Sequence, residues 1–474
     1  MKKFSKLNLL LFTSLMVMTG LSSCGKSSVI PDFEMPEGGF DTTKDVTITF
    51  YHTMNKTLSD VLDVFLNENT GLFTKAYPNI HVEHQQIGGY DDVKDQITTA
   101  LSASGNDCDV AYCYPDHLAM YNKNKAIVSL DTLIYDQTTN EDGTLAYGMS
   151  AAEIADFIPS FWEEGKSFGD NTMYMLPWSK SSEVMYYNKT FFESHELSVP
   201  DHWFSTGNDD YTSMEYVCAK IKEIDPNSTP LGYDSDSNWF ITMCEQYNSG
   251  YTSYDENNHY IFDNATNREF VSKFKEWYGK GWVTTKSLNG QYTSSLFTAA
   301  PSETRRAYMS IGSSAGANNQ VPEKVNGVSQ FEVTITSIPQ VDINNPKVIS
   351  QGPSVCIFRN KDPQKVLASW LFVKFFTTNV LFQAQFSMAS GYTPVINSVN
   401  DNATYQSFLN SSEVAAASTK QCLAQKDAYF ISPAFAGSSD ARVEVGNLLA
   451  AALSGSKSID KAFADALSQL QYKG

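Results

Sequence analysis

Residues Val46 to Leu66 read VTITFYHTMNKTLSDVLDVFL, and the hydrophobic period changes part-way along them. Val46, Ile48 and Phe50 recur every second residue, the spacing of a strand with one buried face. Leu58, Val61, Leu62, Phe65 and Leu66 then follow the i, i+3, i+4, i+7 spacing of a helix with one apolar side. Tyr77-Pro78-Asn79 is a turn, Ile80 and Val82 open a second strand, Tyr90 to Ser104 reads as a helix, and Asp109-Val110-Ala111-Tyr112 as a third strand. The β-α-β-α-β order predicts an α/β fold with a largely parallel sheet. Further on, strands are expected at Val184-Met185-Tyr186-Tyr187 and around Ala307 to Ile311. A helix is expected from Pro363 to Thr378, with proline in its first turn, and a last one opened by Ser458. Residues 225–300 are rich in Asn, Asp, Ser and Tyr, which predicts long surface connections.

Composition narrows the function classes. The 474 residues carry 34 Lys plus Arg against 53 Asp plus Glu, a formal net charge of −19. At about 150 residues per domain the length allows two or three units. Aromatic residues make up 13% and charged ones 18%, which excludes extended disorder. No run of Lys or Arg exceeds two residues, so a nucleic-acid partner is not expected.

The N-terminus reads as an address. Lys2, Lys3 and Lys6 precede an apolar run from Leu7 to Gly20. That run is shorter than the roughly 20 residues needed to span a bilayer. It ends in Leu21-Ser22-Ser23-Cys24, which resembles a bacterial lipoprotein signal; an ordinary signal peptide with an incidental Cys is the other reading. The resemblance implies a signal peptide over residues 1–23, acylation of Cys24, and a lipid-anchored flexible tether over 24–44 facing outside the cytoplasm. No later apolar run reaches 18 residues, so the lipid is the only expected membrane contact. Cys108, Cys113, Cys218, Cys244, Cys356 and Cys422 permit disulfides in an exported chain, and buried free thiols are an equally good reading.

Catalytic motifs fail or are missing. Gly312-Ser313-Ser314-Ala315-Gly316 satisfies the nucleophile-elbow pattern, but that fold needs a His after the serine and all seven His lie before it. No metal motif, phosphate loop or dinucleotide fingerprint occurs, so no metal or cofactor is expected. What recurs beside turns is aromatic and small polar chemistry: Gly88-Gly89-Tyr90, Trp178-Ser179-Lys180-Ser181-Ser182 and Ser390-Gly391-Tyr392-Thr393-Pro394. Aromatic faces stack on sugar rings, and hydroxyl, amide and backbone groups take ring hydroxyls. That is recognition without a nucleophile, and the chain is not expected to be an enzyme.

Along the body, Ile48-Thr49-Phe50-Tyr51-His52-Thr53-Met54, Leu176-Pro177-Trp178 leading to Tyr186-Tyr187-Asn188-Lys189, Ser350-Gln351-Gly352-Pro353-Ser354 and Gly391-Tyr392-Thr393-Pro394-Val395 occur in order. In these the sequence resembles the family 1 extracellular solute-binding proteins of ABC importers, in the sugar and glycerol-3-phosphate branch. The resemblance implies the two-lobe periplasmic-binding-protein fold with three crossings between lobes. Lobe 1 is expected at 45–178 plus 310–352 and lobe 2 at 179–309 plus 353–474. By the same resemblance, Tyr90, Ser179 or Ser181, Ser313 or Ser314, Gly352 and Tyr392 match cleft positions, Trp239 matches a stacking aromatic, and Trp178 is a weaker match. Two departures stand out. Pro115 or Asp116 falls where that branch has an acidic residue, and Ser432 to Gly437 lacks its phosphate-pairing arginine, Arg442 matching a different, helical position. A neutral mono- or oligosaccharide is therefore expected, handed to the transmembrane subunits of an ABC permease. An exported glycan hydrolase and a carbohydrate-binding lipoprotein without a transport role are the alternatives.

Overall fold

A computed structural model describes residues 30–473 apart from 104, 208 and 301. The expected signal peptide and Cys24 lie outside the described residues, as does Ser104.

The alternating apolar residues of Val46–His52 suit an inner strand of a five-stranded sheet. Its order is Ile80–Gln86, Val46–His52, Val110–Cys113, Ser354–Ile357, Met175–Pro177. The first three run parallel, with Val46 opposite Ile80 and Phe50 opposite Val110. Ser354–Ile357 is antiparallel to both its neighbours, Ser354 facing Cys113 and Pro177. The helix Lys56–Leu66, capped by Asn55 accepting from the Leu58 N–H, buries Leu58, Leu62 and Phe65. The helix Pro363–Thr378 begins and ends where the sequence predicts, and Phe372 and Phe376 pack with Phe50 and Trp178 in one core.

A second sheet has the order Tyr429–Phe430, Val348–Gln351, Ser181–Asn188, Met309–Ser313, Leu231–Tyr233, Val283–Thr285, with Val333–Thr336 also pairing to Ser181–Asn188. Its core holds Met185, Trp203, Tyr233, Trp239, Phe274 and Leu449. Each sheet with its helices and core is one lobe.

The chain passes between lobes three times among the described residues: from Trp178 to Ser181, from Gln351 to Ser354, and from Leu409, buried in the first core, to the helix Val414–Ala424. Ala415 on that helix packs with Val184 and Tyr186 of the second lobe. The two-lobe fold with three crossings is the one expected. No single helix among the described residues is long and apolar enough to cross a membrane; Pro363–Thr378 and Val380–Ser390 pass only as a pair bent by 68°.

Four expectations need correction. Residues 310–352 belong to lobe 2, because Met309–Ser313 hydrogen-bonds to Ser181–Asn188 and Gln351 pairs with Ser181. Of 353–474, the part through Leu409 belongs to lobe 1, since Ser354–Ile357 completes the first sheet. Residues 30–44 are no tether: Phe33 is buried, the Phe40 N–H donates to Tyr147 Oη at 2.8 Å, and Arg359 pairs with Asp32 at 2.9 Å, all on lobe 1. Residues 225–300 are not mainly surface connections either. They hold the helices Asp236–Gln246 and Ala265–Gly279, capped by Ser235 and Asn264, with Trp239, Phe240, Phe270 and Phe274 buried. The six described cysteines are buried free thiols.

Candidate functional site

Between the lobes lies a cleft of about 1290 Å³. The lobe 1 wall is aromatic. Tyr90 and Tyr114 follow the carboxyl ends of Ile80–Gln86 and Val110–Cys113, where open parallel sheets present ligand sites. Tyr392 follows Gly391, whose φ of +75° ends the helix Val380–Ser390 and turns the chain toward the cleft. The Tyr90 and Tyr114 rings meet edge to face with centroids 4.8 Å apart, and the Tyr90 and Tyr392 hydroxyls are 3.3 Å apart. Burial raises the pKa of all three phenols, so they stay neutral hydrogen-bonding groups.

The lobe 2 wall is polar. Glu183 is buried in the strand Ser181–Asn188; its carboxylate accepts from Tyr233 Oη at 2.5 Å and from Asn238 Nδ2 at 2.9 Å. Asn238 in turn accepts from the Arg442 guanidinium, and Arg442 Nε stands 3.6 Å from Asp116 Oδ2 of lobe 1. One polar chain thus crosses from lobe to lobe at the edge of the cleft. Asp234 is held by the Thr293 N–H and hydroxyl, each at 2.7 Å, and Asp236 by Thr285 and by the Ser287 hydroxyl at 2.7 Å. Tyr292 is 57% exposed, with Lys286 Nζ 3.9 Å from its ring centroid. Carboxylates outnumber cations in the lining: Asp91, Asp116, Glu183, Asp234 and Asp236 against Lys286 and Arg442.

Burial pushes the Glu183 carboxyl up to about 7, against the lowering pull of its bonds to Tyr233 and Asn238. A raised carboxyl binds more protons folded than unfolded, so its contribution to stability is complete below about pH 4.5 and is lost as pH rises through about 7. Glu183→Gln should therefore gain thermal stability over the parent at pH 8, by up to about 3 kcal/mol, and little at pH 4. A difference independent of pH would refute this origin.

Of the residues singled out from sequence, Tyr90, Ser181, Ser313 and Tyr392 line the cleft, and Ser181 Oγ is 3.2 Å from Ser313 Oγ. The other four do not. Trp239 is fully buried in the lobe 2 core, stacked on Tyr233 at 5.0 Å and 14°. Ser314 is buried and accepts from the Ser182 N–H. Ser179 is buried at the first crossing. Gly352, at the second crossing with φ +93°, lies against it: a Cβ there would sit 2.5 Å from the Ser179 carbonyl oxygen. Trp178 is in the lobe 1 core. Arg442, set aside in the sequence reading, does line the cleft, bound to Asp116 and Asn238. Sequence reasoning missed Tyr114, Glu183, Asn238 and Tyr292. The available signal was Glu183 itself, a charge directly before the apolar run Val184-Met185-Tyr186-Tyr187. Among the described residues, no group of three or more His, Cys, Asp or Glu side chains is placed to hold a metal ion.

The fold is similar to that of several solved proteins. An ABC substrate-binding protein from Listeria monocytogenes in complex with cycloalternan superposes with a TM-score of 0.68 at 14% identity, over 90% of this chain and 99% of that one. The sugar-binding protein MalE of Xanthomonas citri gives 0.67 at 16% identity, over 90% and 97%. UgpB of Mycobacterium tuberculosis in complex with glycerophosphocholine gives 0.66 at 16% identity, over 90% and 98%. At such identities the likeness is one of fold. No curated protein sequence matches the chain. The profile for bacterial extracellular solute-binding proteins matches residues 72–411, well over half of the sequence. With a profile match of that extent, this chain belongs to the bacterial extracellular solute-binding protein family.

Proposed function

We propose that the protein captures a neutral mono- or oligosaccharide outside the cytoplasm and delivers it, unaltered, to an ABC permease. The observation that carries this reading is the pairing of three clustered tyrosines on one wall of the cleft with hydroxyl, amide and carboxylate groups on the other. Sugar rings offer apolar faces and hydroxyl edges to such walls. The acidic lining, with Arg442 already engaged by Asp116 and Asn238, disfavours an anionic ligand. The sugars bound by the Listeria protein and named for MalE support the class. Ligand that touches both walls binds the closed arrangement more tightly and shifts the lobes toward it.

A raised carboxyl in a cleft also suits a glycosidase acid. Glu183, however, is occupied by Tyr233 and Asn238, and we read it as structural. No turnover of chromogenic glycosides is the expected result. Thermal-shift screening against maltose, cycloalternan, acarbose and ribitol tests the ligand class, stabilisation by at least one saccharide being expected and none contradicting it. Tyr392→Ala should then cost about 1–3 kcal/mol of affinity for that saccharide by calorimetry, through lost apolar contact; unchanged affinity would remove Tyr392 from the site.

Anchoring through lipid on Cys24 is part of the same proposal, supported by the Leu21-Ser22-Ser23-Cys24 string. Labelled palmitate should enter the parent protein in bacteria and not Cys24→Ser; equal labelling would exclude that anchor.

A further inference from the structure

Two amide side chains on the cleft have carbonyl oxygens that nothing in the protein satisfies. Gln320 ends the short helix Ser314–Gln320, is 1% exposed and lines the cleft, and its Oε1 has no hydrogen-bond partner. Gln351 ends the strand Val348–Gln351, lines the same cleft, and its buried Oε1 is likewise unpartnered. The carboxylates of the same wall are different: Glu183, Asp234 and Asp236 all accept from neighbouring side chains. Native proteins leave few buried polar atoms unpaired, because each such atom is destabilising. Two of them on residues that line one cavity call for a partner from outside.

We infer that Gln320 and Gln351 are completed by the ligand, each taking a hydrogen bond from a hydroxyl of the saccharide between the lobes. The inference rests on the carbohydrate reading above and adds to it the residues that select for hydroxyl donors. Position supports it. Gln351 lies opposite Ser181 in the sheet, Ser181 Oγ is 3.2 Å from Ser313 Oγ, and Ser313 caps the helix that ends in Gln320. The end of the second sheet thus carries a polar strip with an unpaired acceptor at either flank. An ionised carboxylate or phosphate has only acceptors and leaves both oxygens unsatisfied. A hydroxyl donates as well as accepts, so a polyol satisfies the amides where an anion does not. The two glutamines, rather than any cation, are the specificity-determining residues for a neutral ligand.

Gln320→Met and Gln351→Met keep the length of the side chain and remove its polar end. Two readouts separate the roles. If the amides wait for ligand, the melting temperature of each unliganded variant equals or exceeds that of the parent, while affinity for whichever of maltose, cycloalternan, acarbose and ribitol binds the parent falls at least tenfold. A lower melting temperature in the unliganded variants means the amides hold the fold, and overturns the inference. Unchanged affinity overturns it too. If the parent binds none of the four, the carbohydrate reading fails and takes this inference with it, whatever the melting temperatures.

Discussion

Lys180→Met is expected to lower stability by about 3–5 kcal/mol, the cost of stranding one charge of a buried pair. Lys180 is fully buried where the chain first leaves lobe 1, and its ammonium contacts the carboxylate of Glu164, 3% exposed, on the helix Pro159–Glu164. The ammonium also donates to the Gly352 carbonyl at 3.1 Å, and Glu164 accepts from Ser354 Oγ at 3.1 Å and Ser350 Oγ at 3.3 Å. One ion pair therefore ties the first crossing, the second crossing and the body of lobe 1 together. Removing the lysine leaves a buried carboxylate with two hydroxyl donors. Removing both charges, as in Lys180→Met with Glu164→Leu, should recover much of the loss, because the desolvation cost disappears with the attraction. Urea denaturation of both variants checks this; a double variant no better than the single one would contradict it.

Trp239→Ala is expected to cost about 3–5 kcal/mol as well, by leaving a cavity in lobe 2. Its ring lies 4.0 Å from that of Phe274, 5.0 Å from Tyr233 and 6.1 Å from Trp203, all measured between centroids. No part of it reaches solvent. Below its lowered melting temperature, the variant should bind saccharide within about threefold of the parent, since the cavity is not the cleft. Tyr392→Ala should do the reverse, losing affinity with a smaller change in stability. A Trp239→Ala protein of parental stability that binds tenfold more weakly would return the residue to the site.

Trp239 also marks where sequence reading stops. By resemblance it matches a stacking aromatic, but the helix Asp236–Gln246 buries Trp239, Phe240, Ile241, Met243 and Cys244 around most of its circumference. No period separates core from site in such a helix. The strand Val46–His52 and the helix Lys56–Leu66 were legible because each buries mainly one face, leaving a period of two or 3.6, and Val110–Cys113, buried at every residue, as a short apolar run. Lobe membership was not. Whether Met309–Ser313 joins one sheet or the other depends on partners more than a hundred residues away in sequence, and its apolar residues suit either. Residues 30–44 were misread for a similar reason: single contacts such as Phe33 and the Phe40–Tyr147 hydrogen bond have no period. Tyr90 and Tyr392 were found because glycines turn the chain beside them. Tyr114, Asn238 and Arg442 reach the cleft only through tertiary packing.

On the proposed function, the two lobes shut on an uncharged polyol and later release it intact. Small-angle X-ray scattering with and without a saccharide that binds, followed by chromatography of the recovered sugar, tests this most directly. The radius of gyration should fall on saturation and the sugar should return chemically unchanged. A saccharide that binds without altering the radius of gyration, or that comes back cleaved, would contradict the account.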